Sequence, residues 1–519
     1  MEETKEKIIA LFKNKGSEIS TGELLNYVYG SKTNKDTNNA DSKRESAQMH
    51  RKLLYHINKL VENGILRFSR HGEKGHKFFA LDIGENEEIT EFSSKYKRKL
   101  TVSKPLMPLM PIETYEHQGI INKFETESWI DRLNSVVIMC KKVDSIDKLN
   151  ALFESAISVI NDCICLENFE DIINKNKKED VIKLIEKING ECKDYGKQVS
   201  CTIDISKINK GNFLEILQKA ASNETNKVMF IYSLDAHDVQ EQFAILNEIL
   251  TIYMKKKRLI YFKNKRATNS LQFVGSAGPY SILEKEWENK KDCLSFACAQ
   301  SSLIVDVEKF YSVYGLDTEK FAQLMLNVSK SFLSANTLQR RKSKDYFKSI
   351  ISLDKTNEKE FLELSRNYIR FWNYGLLQPG IDQKLVLNMI NEAKKRIDEF
   401  SIAEETIYKS CGMPTRFKIA LSCAFKEANE KLSSAKYKKL EITGLEDLYK
   451  PKIRKDIMEK EIASSVLNGG NDITFHRKGN FDSQEIMREL SIIINTYKMP
   501  LFSFNFESID GDAKILSYL

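Results

Sequence analysis

The chain has 519 residues, a length that exceeds one ordinary domain and suits about two to four domains. Of these residues 41% are hydrophobic, enough for a large buried core, and 29% are charged. It has no N-terminal apolar signal region and no run of about 18 apolar residues, so we expect neither secretion nor contact with a membrane. The net charge of +7 is modest, and the nine cysteines are scattered and odd in number. These features predict a cytoplasmic protein with reduced thiols.

Residues 1–82 have the element order of a winged helix-turn-helix domain. Apolar residues at helical spacing predict three helices, and the sequence STGE at 20–23 is a capping box that begins the second. Two short apolar stretches on either side of the polar turn SRHGEKGHK predict a β-hairpin that forms the wing. The predicted elements are helices around residues 8–12, 21–28 and 53–61 and strands at 65–68 and 78–81.

The third helix and the wing of this domain are rich in positive charge. Residues 41–77 contain nine lysines and arginines against four acidic residues. A basic helix suits the major groove and a basic wing suits phosphates, so we expect double-stranded DNA as a partner. A small protein–protein module with a solvated basic face is the alternative. The candidate DNA-binding residues are Lys43, Arg44, Gln48, His50, Arg51, Lys52, Arg67, Arg70, Lys74 and Lys77.

Residues 83–111 are typical of a linker, because they hold three of the eight prolines in the stretch SKPLMPLMPIE and are expected to be extended. Residues 112–519 then alternate long helical stretches with short apolar strands, which predicts one large α/β domain, with a barrel as one possible arrangement. The clearest predicted strands are VMFIYSL at 228–234, LIYFKN at 259–264, SSLIVDV at 301–307, DITFHR at 472–477 and LFSFNFE at 501–507.

The larger part contains few motifs that carry chemistry. The segment DAHDVQE (235–241) offers metal ligands, but Asp235 is well placed to cap the helix that follows. The pair Cys163 and Cys165 has no second pair nearby, which favours buried apolar thiols over a metal site. The basic run MKKKRLIYFKNKR (254–266) suits either phosphate contacts or solvated strand ends. No common nucleotide motif and no catalytic triad stands out, so we predict no metal and no cofactor.

Five stretches from residue 228 onward carry a resemblance to a known family. They are VMFIYSLDAHDVQEQFAILNEILTIYMKKKRLIYFKNK, QFVGSAGPY (272–280), SFACAQSSLIVDVEKF, and the segments at 389–428 and 464–507. In order and character they resemble the catalytic domain of anaerobic (class III) ribonucleoside-triphosphate reductases. The resemblance implies a glycyl-radical-enzyme fold, a ten-stranded α/β barrel, with QFVGSAGPY at the loop that carries the radical cysteine.

The positions on which that family's chemistry depends are changed in this chain. Ser276 stands where the resemblance places the radical cysteine, and Arg416 stands where it places an acidic residue. No cysteine follows Cys423, so the zinc knob of the family is not matched. Ser517 falls at the spacing of the radical glycine. The resemblance therefore implies a degenerate site with no catalytic residues.

We accordingly predict a DNA-binding transcription regulator whose catalytically inactive barrel is retained for nucleotide sensing or for dimerisation. Two alternatives stay open, a reductase-related enzyme with a divergent active site and a non-catalytic interaction scaffold. By analogy with the winged helix and with the family fold, we expect a homodimer. The candidate nucleotide-binding residues are His476, Arg477, Lys263 and Lys265.

Overall fold

The chain forms two compact units, Met1–Pro105 and Leu106–Leu519, in a computed structural model. None of the helices in the described ranges is long and apolar enough to cross a membrane. The structure describes residues 7–8, 11, 19–29, 53–54, 56–57, 60, 66–71, 77–81, 110–123, 132–208, 210–221, 227–283, 286, 293–346, 348–354, 358–372, 383–410, 418–425, 440–478 and 482–506.

The smaller unit contains a helix, α1 (Thr21–Tyr29), and a three-stranded antiparallel sheet. Ser20 and Glu23 form the predicted capping box, since the Glu23 amide donates to the Ser20 hydroxyl at 3.2 Å and the Ser20 amide donates to the Glu23 carboxylate at 3.0 Å. The strands are β1 (Ile19–Ser20), β2 (Leu66–His71) and β3 (Lys77–Leu81), in the order β1-β3-β2. The described core residues are Ile8, Leu11, Ile19, Leu24, Leu53, Ile57 and Leu60.

The larger unit is a mixed α/β fold built on a twelve-stranded sheet, as the alternation of elements in the sequence predicts. Its strands are β4 (Ile121–Lys123), β5 (Leu133–Met139), β6 (Ile160–Glu167), β7 (Gln198–Asp204), β8 (Val228–Leu234), β9 (Ile260–Asn264), β10 (Leu271–Gly275), β11 (Gly278–Ile282), β12 (Ser295–Asp306), β13 (Arg366–Trp372), β14 (Ile419–Cys423), β15 (Leu440–Ile442), β16 (Asp472–Arg477) and β17 (Leu501–Phe506). Strands β10 and β11 form a separate hairpin.

Helices connect most of these strands and cover the outer faces of the sheet. They are α2 (Met110–His117), α3 (Ile146–Ile157), α4 (Glu170–Lys175), α5 (Lys178–Tyr195), α6 (Lys210–Ala221), α7 (Ala236–Glu241), α8 (Phe243–Lys255), α9 (Val307–Tyr314), α10 (Thr318–Tyr346), α11 (Lys348–Asp354), α12 (Glu358–Leu362), α13 (Gln383–Ser410), α14 (Pro451–Val466) and α15 (Ser483–Thr496). Short 3-10 helices lie at Cys140–Lys142, Ile205–Lys207 and Leu445–Tyr449.

The strand pairing closes into a ring of two parallel halves. Strands β5 to β9 are mutually parallel, and so are β12, β13 and β14 and the pair β16 and β17. The halves meet antiparallel where β12 pairs β5 and where β17 pairs β9. A parallel bridge between Ser422 of β14 and Gly470, just before β16, completes the circuit. Within the described residues, ten strands therefore form a closed ring, five in each direction.

The hairpin β10–β11 runs through the interior of this ring. It contacts the first half through Ser200 of β7, whose hydroxyl donates to the Val274 carbonyl. It contacts the second half through Arg370 of β13, whose Nη1 donates to the Pro279 carbonyl at 2.8 Å. The hairpin contacts both halves of the ring because it lies between the two halves.

Both faces of the strands are buried, which explains why they are nearly continuous apolar runs in the sequence. Inward-facing side chains pack against the hairpin, and outward-facing side chains pack against the helices. The inward set forms one hydrophobic cluster with Phe273 and Tyr280 of the hairpin and includes Val137, Met139, Cys163, Cys165, Met229, Ile231, Tyr261, Phe296, Cys298, Tyr368, Ala420 and Leu501.

Replacing Phe262 with alanine is expected to lower the free energy of unfolding by about 3–5 kcal/mol, because a large buried ring is lost where the halves join. Phe262 lies on β9 and stacks on Phe502 of β17, with ring centroids 5.5 Å apart. Chemical denaturation measures the change. The matched control is Phe243→Ala, since Phe243 is 45% exposed. Equal losses in the two variants would contradict the described junction.

Candidate functional site

The tip of the interior hairpin is fastened to a buried carboxylate. Asp162 lies on β6 and is 1% exposed. Its Oδ1 accepts from the amide of Ser276 at 2.8 Å and from the Ser276 hydroxyl at 2.5 Å. Its Oδ2 accepts from the hydroxyl of Tyr280 at 2.5 Å. Burial, followed by the charge of Asp162, raises the pKa of Tyr280 well above its ordinary value, so this hydroxyl stays a donor.

A buried arginine holds the same hairpin from the other half of the ring. Arg370 is fully buried on β13, and its Nε donates to the Ser302 hydroxyl at 2.9 Å. Its Nη1 donates to the Ser422 hydroxyl at 3.0 Å as well as to the hairpin backbone. The guanidinium lies 4.3 Å from the centroid of the Tyr280 ring, a cation–π contact. Tyr280 thus lies between a buried cation and a buried anion.

Two glycines allow the tip to fit this space. A Cβ on Gly275 would lie 2.4 Å from Oδ2 of Asp162. Gly278 has a φ of +144°, and a Cβ there would lie 2.5 Å from the backbone carbonyl of Cys423. Glycine is therefore required at both ends of GSAG by close backbone approach inside the ring, independently of any chemistry at Ser276.

The second feature is a cavity of about 300 Å³ at the carboxyl ends of β6, β7, β8 and β9. Ligands of α/β proteins commonly bind at this end of parallel strands, because loops and helix starts converge there. The cavity lies where the chain leaves β9 and enters the interior hairpin. Its lining residues are Glu167, Asn168, Thr202, Ile203, Asp204, Ser233, Lys263, Lys265, Thr268 and Asn269.

Charged side chains are tightly paired at one side of the cavity. Lys265 donates to Asp204 at 2.5 Å and to Asp238 at 2.9 Å, and Lys207 lies 2.9 Å from Asp204. Burial raises the pKa of Asp204, but hydrogen bonds from Lys265, Lys207 and Ser206 outweigh it and lower the pKa to about 2. This side of the cavity is therefore a fixed, internally neutralised network.

At the end of β6, hydrogen bonds to Thr202 hold the residues that line the cavity. Thr202 donates its hydroxyl to Glu167 and accepts the amide of Asn168 at 3.2 Å. Asn168 has a φ of +59°, which is uncommon for a residue with a side chain. The neighbouring Glu170 accepts the Asp204 amide at 3.1 Å, and burial raises the pKa of Glu170 to about 7.

The four candidate nucleotide-binding residues do not come together. Lys263 and Lys265 line the cavity. His476 is buried on β16 beside Asn505, with Nδ1 3.4 Å from its amide nitrogen. Arg477 is fully buried and contacts α15, where its side chain lies 2.6 Å from Glu485 and 3.1 Å from Glu489. Arg477 is thus neutralised by a helix and does not line the cavity.

The other candidate positions are distributed as follows. Ser276 lies at the hairpin tip, while Arg416 and Ser517 lie outside the described residues. Arg67 and Arg70 lie on β2 and Lys77 on β3. The remaining DNA-binding candidates, all outside the described residues, are Lys43, Arg44, Gln48, His50, Arg51, Lys52 and Lys74.

The possible metal ligands have structural roles. Asp235 accepts the amides of His237 at 2.8 Å and Asp238 at 3.0 Å in a capping box at the start of α7, which confirms the predicted cap. Asp235, His237 and Asp238 place ligand atoms within 4.8 Å of one another, but Asp238 already forms an ion pair with Lys265. Cys163 and Cys165 are buried in the ring, as predicted, and burial raises the pKa of both thiols well above the ordinary value.

Sequence reasoning missed Asp162, Arg370 and Glu167. Each is a charged residue inside or at the end of an apolar strand, in the segments INDCICLE and RNYIRFW. Buried charges are rare unless they are paired, so this pattern itself signals an internal polar site.

Comparison with known proteins gives no match to any family profile or to any curated protein. Solved structures do show a likeness. An anaerobic ribonucleotide reductase from Thermotoga maritima with glycerol in the active site is 12% identical, with a TM-score of 0.48 over 76% of this chain and 77% of that one. The class Id ribonucleotide reductase alpha subunit of Actinobacillus ureae is 10% identical, with a TM-score of 0.47 over 78% and 90%. At these values the likeness carries no inference about activity.

Replacing Gly278 with alanine is expected to lower the free energy of unfolding by about 2–5 kcal/mol, because the new methyl group meets the Cys423 carbonyl and the backbone is strained. Thermal or chemical denaturation measures the loss. The control is Gly190→Ala in α5, where a Cβ meets no atom within 4 Å and is expected to stabilise by about 0.5–1 kcal/mol. Equal stability of the two variants would contradict the described geometry of the hairpin tip.

Proposed function

We propose that this chain is a DNA-binding regulator whose larger unit keeps a ribonucleotide-reductase-like fold to bind a ligand without radical chemistry. The observation that carries the proposal is the hairpin tip. A serine lies there, inside a closed ring of ten strands, with its hydroxyl donating to the buried carboxylate of Asp162.

The chemistry of the tip argues against radical transfer. In the reductases that the sequence resembles, a cysteine on this loop gives up its hydrogen atom to a backbone radical. An O–H bond holds its hydrogen far more strongly than an S–H bond, so Ser276 is a poor donor of a hydrogen atom. Its hydrogen also lies in a hydrogen bond to Asp162, within a network that holds the hairpin. Ser276 is better suited to anchoring than to turnover.

The ring itself supports the reductase-like part of the proposal. The sequence resemblance implies a ten-stranded barrel with a loop that carries the active residue. The strands pair in two parallel sets of five that meet antiparallel, and a hairpin lies between them. This agreement rests on the pairing of this chain's own strands and is independent of the low-identity likenesses.

The order of elements in the smaller unit supports the DNA-binding part of the proposal. A two-residue strand before α1 pairs with the far strand of a hairpin, and helical residues lie between them in sequence. This order is that of a winged helix, in which the third helix enters the major groove and the hairpin contacts phosphates. Arg67, Arg70 and Lys77 lie on the two hairpin strands, as a wing requires. A homodimer bound to two half-sites remains the expected assembly.

Binding of duplex DNA is expected to weaken with rising salt, and Lys52→Ala is expected to reduce the slope of log affinity against log salt by about one. The physical reason is the loss of one phosphate contact and its released counterion. Fluorescence anisotropy with a labelled genomic duplex, chosen from a genome-wide pull-down, measures both quantities.

The control for this experiment is Lys395→Ala, since Lys395 lies on α13 of the larger unit with a side chain 61% exposed. The two variants remove the same charge from different units. If Lys52→Ala and Lys395→Ala both bind like the wild type, the assignment of a phosphate contact to Lys52 is wrong. If the full chain does not bind duplex DNA at low salt, the DNA-binding proposal is wrong and the interaction-scaffold alternative is favoured.

A further inference from the structure

The cavity at the ends of β6 to β9 presents a row of polar side chains from neighbouring strands. Asp204 pairs in register with Ser233, and Ser233 pairs in register with Lys263. Side chains at paired positions of parallel strands lie on the same face. Glu167 and Thr202 lie on the adjoining strands and complete the lining. The row thus runs from carboxylates on β6 and β7 to an ammonium group on β9.

The two lysines of this row differ in their pairing. Lys265 is held by two carboxylates, Asp204 and Asp238, so its charge is already neutralised. Lys263 is half-buried, and among the residues that the structure describes its ammonium group has neither an ion pair nor a hydrogen bond. A partly buried ammonium group that faces a cavity is suited to an anionic ligand.

Glu167 offers the complementary group at the other end. One carboxylate oxygen accepts the Thr202 hydroxyl, and Glu167, which is 6% exposed, lies in the cavity wall. Strands lie about 4.8 Å apart, so β6 and β9 are separated by roughly 14 Å. Among the described contacts Glu167 and Lys263 make no ion pair with each other, so a ligand that lies between them can contact both.

We infer that this cavity binds a sugar phosphate, either free or as the ribose phosphate of a nucleotide, with the phosphate at Lys263 and Ser233 and a sugar hydroxyl at Glu167. Lysine is a common phosphate ligand, and a carboxylate at a strand end commonly accepts ribose hydroxyls. A volume of about 300 Å³ is at the low end for small-molecule sites, which favours a compact ligand.

The main chain around Glu167 is consistent with a constructed site. Asn168 follows it with a left-handed φ of +59°, and the Thr202 hydroxyl fixes this conformation by accepting the Asn168 amide. Strained residues persist where surrounding contacts hold them, and they concentrate at ligand sites. The inference rests on the proposed ligand-binding role of the larger unit and names its site.

Isothermal titration of the full chain with ribose 5-phosphate, adenosine 5′-monophosphate, inorganic phosphate and ribose tests the inference. We expect the two sugar phosphates to bind more tightly than inorganic phosphate or ribose. Lys263→Met is expected to weaken their binding by about tenfold to a hundredfold, because a charge-assisted contact is lost. Glu167→Gln is expected to weaken the binding of sugar phosphates by about tenfold while leaving the binding of inorganic phosphate unchanged.

Lys256→Met is the matched control, because Lys256 is exposed in the same basic run and does not line the cavity. It is expected to bind all probes as the wild type does. If sugar phosphates bind the wild type and Lys263→Met equally, the site assignment is overturned while the ligand-binding function stands. If none of the probes, and no nucleoside triphosphate, binds the wild type, the proposed ligand-binding function fails as well.

Discussion

The larger unit depends on the pairing of buried charges across one tyrosine. Asp162 belongs to the first half of the ring and Arg370 to the second, and both contact Tyr280 of the hairpin. A charge buried without partners is costly, whereas Asp162 accepts hydrogen bonds from the hairpin and Arg370 donates to the hairpin backbone and to surrounding serines. The polar network therefore joins both halves of the ring to the segment inside it, and it determines where the tip of that segment lies.

This arrangement separates the two ends of the ring interior. At the hairpin tip, Ser276 and the glycines beside it are committed to contacts with Asp162 and Cys423. At the base of the hairpin, the cavity presents Lys263 and Glu167. A fold with this division can lose the chemistry of the tip and keep a ligand site at the base. That division is compatible with the ligand-binding role that we propose for the larger unit.

Much of the secondary structure was predictable from the sequence, because strands buried on both faces are continuous apolar runs; DITFHR is β16 as predicted. The end of a helix was less predictable: α10 extends to Tyr346, and its last residues, RRKSKDY, carry no apolar stripe that would indicate a helix. The face on which a strand residue lies was not predictable, since one step along a strand reverses it. Lys263 is the last residue but one of β9 and Arg477 is the last residue of β16, yet only Lys263 lines the cavity. Closure of the ring was not predictable either, because it depends on contacts between residues distant in sequence.

The hydrogen bond between Tyr280 and Asp162 is the contact on which the position of the hairpin depends most directly. A double-mutant cycle of Asp162→Ala and Tyr280→Phe, followed by chemical denaturation, measures the coupling between these residues. We expect a coupling energy of about 1.5–3 kcal/mol, the value for a buried hydrogen bond to a charged group. Additive losses, with a coupling near zero, would contradict the claim that this network holds the hairpin inside the ring.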